Sequence, residues 1–230
     1  MAKKRAGLPF QVDFFRRLAE NGQQKSLTDT FQHIYQTNHW GGQKSVSGDG
    51  ADLDQIAGIK EQLPALFRKL RIARLLDLPC GDFHWMQTLD LDVDYIGGDI
   101  IPELISAHQA NFGNDRRNFR LLDLTKDDLP SADLILCRDC LVHLSFEDIF
   151  RAIRNLSRNP VTYLLTTTFS ECEQNKDIVT GDWRILNLEK PPFNFPPPLL
   201  LMNEGCTEGR GTYADKCLGL WKISDLPTQT

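Results

Sequence analysis

Between Ile72 and Phe169 the chain runs through five short apolar segments separated by polar or helix-patterned stretches, and the first three end in aspartate. "ARLLDL" closes on Asp77 and its neighbour Leu78, "VDYIGGDI" on Asp99, "NFRLLDL" on Asp123; "ADLILCR" and "VTYLLTTTF" follow. Runs of this length, nearly all apolar, fit strands buried on both faces of a parallel sheet. Helices belong between them: "PELISAHQANF", with Pro102 at a natural first-turn position, and "FEDIFRAIRNLS". The pattern predicts an α/β fold, doubly wound, its sheet mainly parallel. Near the end "PPLLLMNEGC" and "DKCLGLWKI" add an antiparallel pair at one edge, making seven strands.

The first sixty residues have another rhythm. Phe10 to Glu20 and Leu27 to Gln36 have helical spacing, the second opened by Ser26 or Thr28. A long Gly/Ser-rich loop, "NHWGGQKSVSGDGAD", leads to a helix expected from Leu53 to Leu70. This divides the chain into an N-terminal helical cap and loop, 1–60, and an α/β domain, 61–230.

In an open parallel sheet the carboxyl ends of the strands share one rim, and ligands bind in the crevice there. Asp77, Asp99 and Asp123 therefore face a common crevice. Each alone reads as a turn or helix cap; together they point to a nucleoside site, with Asp99 placed to accept both ribose hydroxyls. The stretch "ARLLDLPCGDFHW" reads as strand, turn and helix, and its turn decides between nucleosides. Dinucleotide sites need G-x-G-x-x-G so that diphosphate can approach backbone amides at a helix N-terminus. Here only Gly81 remains, and Asp82 adds negative charge. A nucleoside with a cationic, phosphate-free tail fits better, which describes S-adenosylmethionine.

These segments resemble class I S-adenosylmethionine-dependent methyltransferases. "LLDLPCGDF" is similar to the family's first motif, with Pro79 and Phe83 at the first and third glycine positions. "YIGGDI" is similar to the ribose motif, "LLDLTKDDLP" carries Asp123 toward the adenine amino group, and "ADLILCRDCLVHLS" resembles the motif beside the transferred methyl. "PCGDFHWM", "CRDCLVHLS", "NKDIVTGDWRILNL" and "PPFNFPPPL" are further marks of a small bacterial subgroup. The resemblance implies a Rossmann-like fold, S-adenosylmethionine as cofactor, and a cofactor site built from Trp40, Asp77, Leu78, Pro79, Cys80, Gly81, Asp99, Ile100, Asp123, Leu124 and Arg138. Methyl transfer to a small-molecule or carbohydrate-type acceptor is expected, at oxygen ahead of nitrogen. The alternatives are methylation of RNA or protein, and a non-catalytic module binding cofactor or a partner.

A hydroxyl acceptor must lose a proton. Asp139 and His143 are candidates for that catalytic step; four apart, they share a face if a helical turn begins there, and the carboxylate would raise the imidazole's pKa. The other reading makes His143 a packing residue and Asp139 a cap. Arg138 either fixes an anionic acceptor or pairs with Asp139. Trp85 lines the acceptor side or belongs to the core. The loop "NKDIVTGDWR" either supplies Arg184 and a lid over the acceptor or is a structured loop whose polar residues satisfy its own backbone.

The 230 residues carry 31 acidic against 26 basic side chains, a formal charge of −5, so no global basic field draws the chain to nucleic acid. No apolar run is long enough for a membrane span, and no apolar stretch follows the basic "MAKKR" as an export signal would require. A cytoplasmic protein with six reduced cysteines is expected. Cys137 and Cys140 have no second pair at zinc spacing, so no metal site is expected. Nothing in the residues sets an oligomeric state.

Overall fold

A computed structural model describes residues 11–227; the basic tail at 1–5 and Phe10 lie outside them. The five strands of the α/β pattern form as β1 Arg74–Asp77, β2 Asp94–Asp99, β3 Arg117–Leu121, β4 Ala132–Cys137 and β5 Val161–Phe169, all parallel where they pair. The last two strands, β6 Leu200–Asn203 and β7 Lys216–Lys222, are antiparallel, with β7 inserted between β5 and β6. The order β3-β2-β1-β4-β5-β7-β6 makes the expected seven-stranded sheet. The order in which strands are added reverses at β1, with β2 and β3 on one side and β4 and β5 on the other, which opens a crevice above Asp77, between the ends of β2 and β4.

The centre of the sheet is buried because β1, β4 and β5 are dominated by apolar residues: Leu75, Leu76, Leu134, Ile135, Leu136, Leu164 and Leu165 are all fully buried. Gly97 and Gly98 let β2 sit close to its covering layers. A Cβ at Gly97 would lie 2.6 Å from the Phe119 ring, and one at Gly98 2.9 Å from Leu78 and Leu122. Helices α3 Ala57–Leu70, α4 Pro102–Phe112 and α5 Phe146–Arg158 cover the sheet. Ser145 caps α5, its hydroxyl accepting from the Asp148 amide, a contact typically worth about 1 kcal/mol. Helices α1 Phe14–Glu20 and α2 Leu27–Thr37 precede this body, and Ser26 caps α2.

Two expectations change. The helix expected from Leu53 starts at Ala57, because residues 49–56 form a short 3-10 turn and bends. The helix expected after the first turn is a single 3-10 turn, Met86–Thr88, since Phe83 adopts a left-handed φ of 59° that breaks any continuous helix from the turn. The proline segment 191–198 runs along the body as a strap: Phe193 and Phe195 are buried, and the Trp221 indole donates to the Pro196 carbonyl at 2.7 Å.

Candidate functional site

The crevice above β1 is a groove of roughly 1110 Å³, open mouth included, large enough for a nucleoside. Asp77, Asp99 and Asp123 all line it from three neighbouring strand ends. So do Leu78, Pro79, Cys80 and Gly81 of the first turn, Ile100 and Leu124 beyond β2 and β3, and Arg138 and Asp139 beyond β4. Trp40 closes it from the N-terminal loop, and Trp85 also belongs to this groove, packed under the Arg138 guanidinium at 5.5 Å. Sequence reasoning missed the wall contributed by α2, where Leu27, Phe31 and Ile34 face the groove. Their i, i+4, i+7 spacing was the available signal.

Each carboxylate is held differently. Asp99 accepts from the Gly81 and Ile101 amides at 3.1 Å each; burial still lifts its pKa to about 6. Asp77 accepts from the Tyr95 hydroxyl at 2.6 Å, yet burial, with Asp99 adding to it, carries its pKa to about 7. Asp123 accepts from Thr125 and carries Lys126 at 3.1 Å. Among the described residues that line the groove, Arg138 is the one cation, and its fork is engaged: Glu204 at 2.7 and 3.1 Å, the Gly50 carbonyl at 2.9 Å, Asp139 at 3.3 Å. Burial opposes that charge, but Glu204 and Asp139 outweigh it and hold the guanidinium above its ordinary pKa.

The first turn offers nothing to a phosphate. Cys80 donates its amide to the Gly98 carbonyl, Gly81 to Asp99, Asp82 to the Ser47 hydroxyl, Phe83 to the Cys80 carbonyl and His84 to Asp82. Pro79 has no amide hydrogen. Every donor that could cradle an anion is spent, and no α-helix begins there.

Past Trp40, Ser47 and Asp139 the groove meets a second chamber of roughly 910 Å³, also open to solvent. His143 lies in its wall with Phe169, Trp183, Tyr213, Asp49, Glu208 and Lys216. The His143 ring lies 4.5 Å from Trp40 and its Nδ1 meets the Asp182 carbonyl at 3.0 Å. Asp139 does not lie below it on an α-helical face: its φ is 51°, and Leu141–His143 is a 3-10 turn. Nor is the imidazole's pKa raised. Burial lowers it to about 4, outweighing the pull of Asp139, so the ring is neutral near pH 7. Asp139 is pushed up by burial but pulled harder by Lys216, at 2.7 Å, and Arg138, and stays well below the usual carboxylate range.

Arg184 lines neither space. Its guanidinium donates to the Leu141 and Leu144 carbonyls at 2.7 and 2.8 Å, which fixes the turn that carries His143. The rest of the 175–184 loop is similarly occupied: Asn175 binds the 187–191 backbone, Asp177 the Phe146 amide, Thr180 the Ser145 amide. Only Trp183 of that loop reaches the chamber. Glu208, Tyr213 and Lys216 went unseen in the sequence because they follow no period and no motif.

No helix among the described residues is long and apolar enough to cross a membrane. No protein-family model and no curated protein matches the chain. Solved structures do. Human N-acetylserotonin methyltransferase, in complex with S-adenosylmethionine, aligns at TM-score 0.56 and 14% identity over 93% of this chain and 62% of the human one. The N-methyltransferase NodS from Bradyrhizobium japonicum aligns at 0.53 and 14% over 74% of this chain and 97% of its own. A Bordetella parapertussis protein aligns at 0.39 and 16%, over 48% and 42%. The chain thus spans under two thirds of two of these three. With the sheet order and the reversed β7, the first two alignments show that this chain has the Rossmann-like fold of S-adenosylmethionine-dependent methyltransferases.

Proposed function

We propose that the chain is an S-adenosylmethionine-dependent methyltransferase acting on a small-molecule or carbohydrate-type acceptor, with the groove above β1 as its cofactor site. One observation carries the reading: a phosphate-refusing groove rimmed by three buried carboxylates opens, past Trp40, into a separate chamber holding a neutral histidine. The donor set fits the cofactor's chemistry. Asp99 accepts the ribose hydroxyls, Asp123 the adenine amino group, and Asp77 faces the cationic methionine end. Leu78, Pro79, Cys80, Gly81, Ile100 and Leu124 supply the close apolar walls. The Trp40 indole N–H, buried with no partner among the described residues, is a donor waiting for an acceptor atom.

Bound there, S-adenosylmethionine supplies an electrophilic methyl group, so the protein's task is alignment and exclusion of water. Trp40 and Ser47, on the border of the two spaces, screen the junction. The Asp182 carbonyl, as acceptor, fixes a proton on Nδ1 of His143 and leaves Nε2 as the basic nitrogen, suited to take the proton of an acceptor hydroxyl. Asp139 is held as a carboxylate beside it and stabilises the imidazolium that results. Trp85 and Arg138 shape the floor of the groove, Arg138 reaching Asp139 on the border of the chamber, and Arg184 positions the His143 turn. Of the N-terminal cap expected over 1–60, residues 27–51 serve as the roof.

Calorimetry with S-adenosylhomocysteine and with NAD tests the reading. Binding of the first and not the second is expected, and Asp99→Ala should weaken it at least tenfold. Binding of NAD alone would overturn the assignment.

A further inference from the structure

The chamber beyond Trp40 has two properties that the reading above does not use. Three rings stand nearly perpendicular along its wall: Trp183 and Tyr213 at 5.1 Å and 73°, Phe169 and Trp183 at 6.4 Å and 85°, Phe169 and Tyr213 at 6.1 Å and 80°. Facing the same space are the carboxylates of Asp49, Asp139 and Glu208.

The charges around it do not balance. Two buried cations, Arg138 and Lys216, stand among four carboxylates, Asp49, Asp139, Glu204 and Glu208. Arg138 is taken by Glu204, and Lys216 by Asp139 at 2.7 Å. Glu208 reaches Lys216 only at 4.0 Å, and Asp49 has no ion pair among the described residues. Glu204 is 2% exposed and binds both cations through one oxygen; the other oxygen has no partner among the described residues. A surplus of two negative charges therefore borders a chamber lined by three aromatic rings. Aromatic rings attract cations, and weakly paired carboxylates, Glu208 at 4.0 Å from Lys216 and Asp49 acting on Lys44 without an ion pair to it, do so more strongly. Among the described residues lining the chamber Lys216 is the one cation, and Asp139 engages it, so an anionic acceptor is not favoured.

We propose that the molecule this chamber takes carries a protonated amino group, seated against the Phe169, Trp183 and Tyr213 rings with Asp49 and Glu208 as its counter-charges. That it is the methyl acceptor rests on the cofactor reading of the adjoining groove; that the chamber selects an ammonium group does not. The amino group is a recognition element, so a hydroxyl elsewhere on the same molecule remains available to His143.

Three probes of one skeleton test this on the full chain at about pH 7.5: 2-phenylethylamine, which is protonated there, 2-phenylethanol and phenylacetate. Binding is read by tryptophan fluorescence and calorimetry, with S-adenosylhomocysteine titrated separately. The amine should bind at least tenfold more tightly than the alcohol, and phenylacetate not measurably. Glu208→Gln and Asp49→Asn, both at accessible positions, should together reduce the amine's advantage below threefold and leave the alcohol unchanged. Equal binding of amine and alcohol, binding of phenylacetate, binding of no probe, or an amine advantage that survives both substitutions would each overturn the proposal. Failure of S-adenosylhomocysteine to bind while the amine still binds would instead refute the cofactor assignment and leave the chamber's selectivity standing.

Discussion

Replacing Asp77 by asparagine should remove a pH dependence from cofactor-product binding that the intact protein must show. Burial lifts the Asp77 pKa from 3.8 to about 7, so near neutrality the empty site holds this carboxyl about half protonated. The folded value lies above the unfolded one. Protonation therefore favours the empty fold, and its stability falls as pH rises from about 4 through about 7. Binding of a ligand with a cationic end beside Asp77 favours the ionised form and has the opposite dependence. If the bound carboxyl returns to the ordinary range, affinity is reduced by the factor 1 + 10^(pKa − pH), roughly 1.1 at pH 8 and roughly 11 at pH 6. S-adenosylhomocysteine, which lacks the sulfonium but keeps the cationic α-amino group, should thus bind about tenfold more weakly at the lower pH if that group sits beside Asp77, with net proton release near neutrality. Asp99, lifted to about 6, steepens the decline only below that point, and His143, near 4, stays neutral throughout. Calorimetry in buffers of different ionisation enthalpy reads the proton count directly. A dissociation constant that holds within twofold across this range, or an Asp77→Asn variant with the same slope as the parent, would refute the placement of the cationic end.

Three further outcomes follow from the contacts. His143→Ala should lower turnover by roughly 100-fold or more while S-adenosylhomocysteine affinity stays within about twofold; unchanged turnover would remove the histidine from the reaction. Asp82→Ala frees the Val46 amide and the Ser47 hydroxyl that its carboxylate holds, so amide exchange over 44–50 should quicken and cofactor affinity fall; unchanged exchange would show the loop is held by other contacts. Glu204→Ala strands the Arg138 and Lys216 charges in a buried site, at about 3–5 kcal/mol, or roughly 6–20 °C in melting temperature; a shift below about 3 °C would show that water or Asp139 compensates.

The fold was legible because its segments obey a simple pattern: short, mostly apolar, and in the first three cases closed by an aspartate at or just beyond the strand end. That fixed Asp77, Asp99 and Asp123 on one rim without knowledge of any contact. The environment of His143 was not legible. Its neighbours Trp40, Asp182 and Arg184 come from segments distant in sequence, and the expected helical pairing with Asp139 assumed a local geometry that the left-handed φ of Asp139 forbids. The sign of the imidazole shift depended on burial, which tertiary packing sets. The chamber's carboxylates were hidden for a similar reason: Glu204 and Glu208 lie within the β6–β7 connection, where no periodicity marks function.

The altered first turn is where these strands of argument join. A glycine-rich turn leaves amide donors bare for a ligand; here the turn has been put to another use. Gly81, at φ 53°, lies so near the N-terminal loop that a Cβ would fall 2.4 Å from the Ser47 hydroxyl. Asp82 receives that loop through the Val46 amide. Phe83, at the third glycine position, turns inward at 2% exposure among Tyr95, Phe112 and Phe119. Gly81 and Asp82 thus anchor a roof above, while Phe83, one of the two departures from the glycine pattern, fills a core below. Such a turn needs a ligand that asks for no backbone amides, and a roof that brings Trp40 over it. The same docking carries residues 48–50 to the edge of the second chamber, where the Gly50 carbonyl accepts from Arg138 and Asp49 adds its charge. Loosening the turn should therefore disturb both sites together, a coupling that a free-standing glycine loop would not produce.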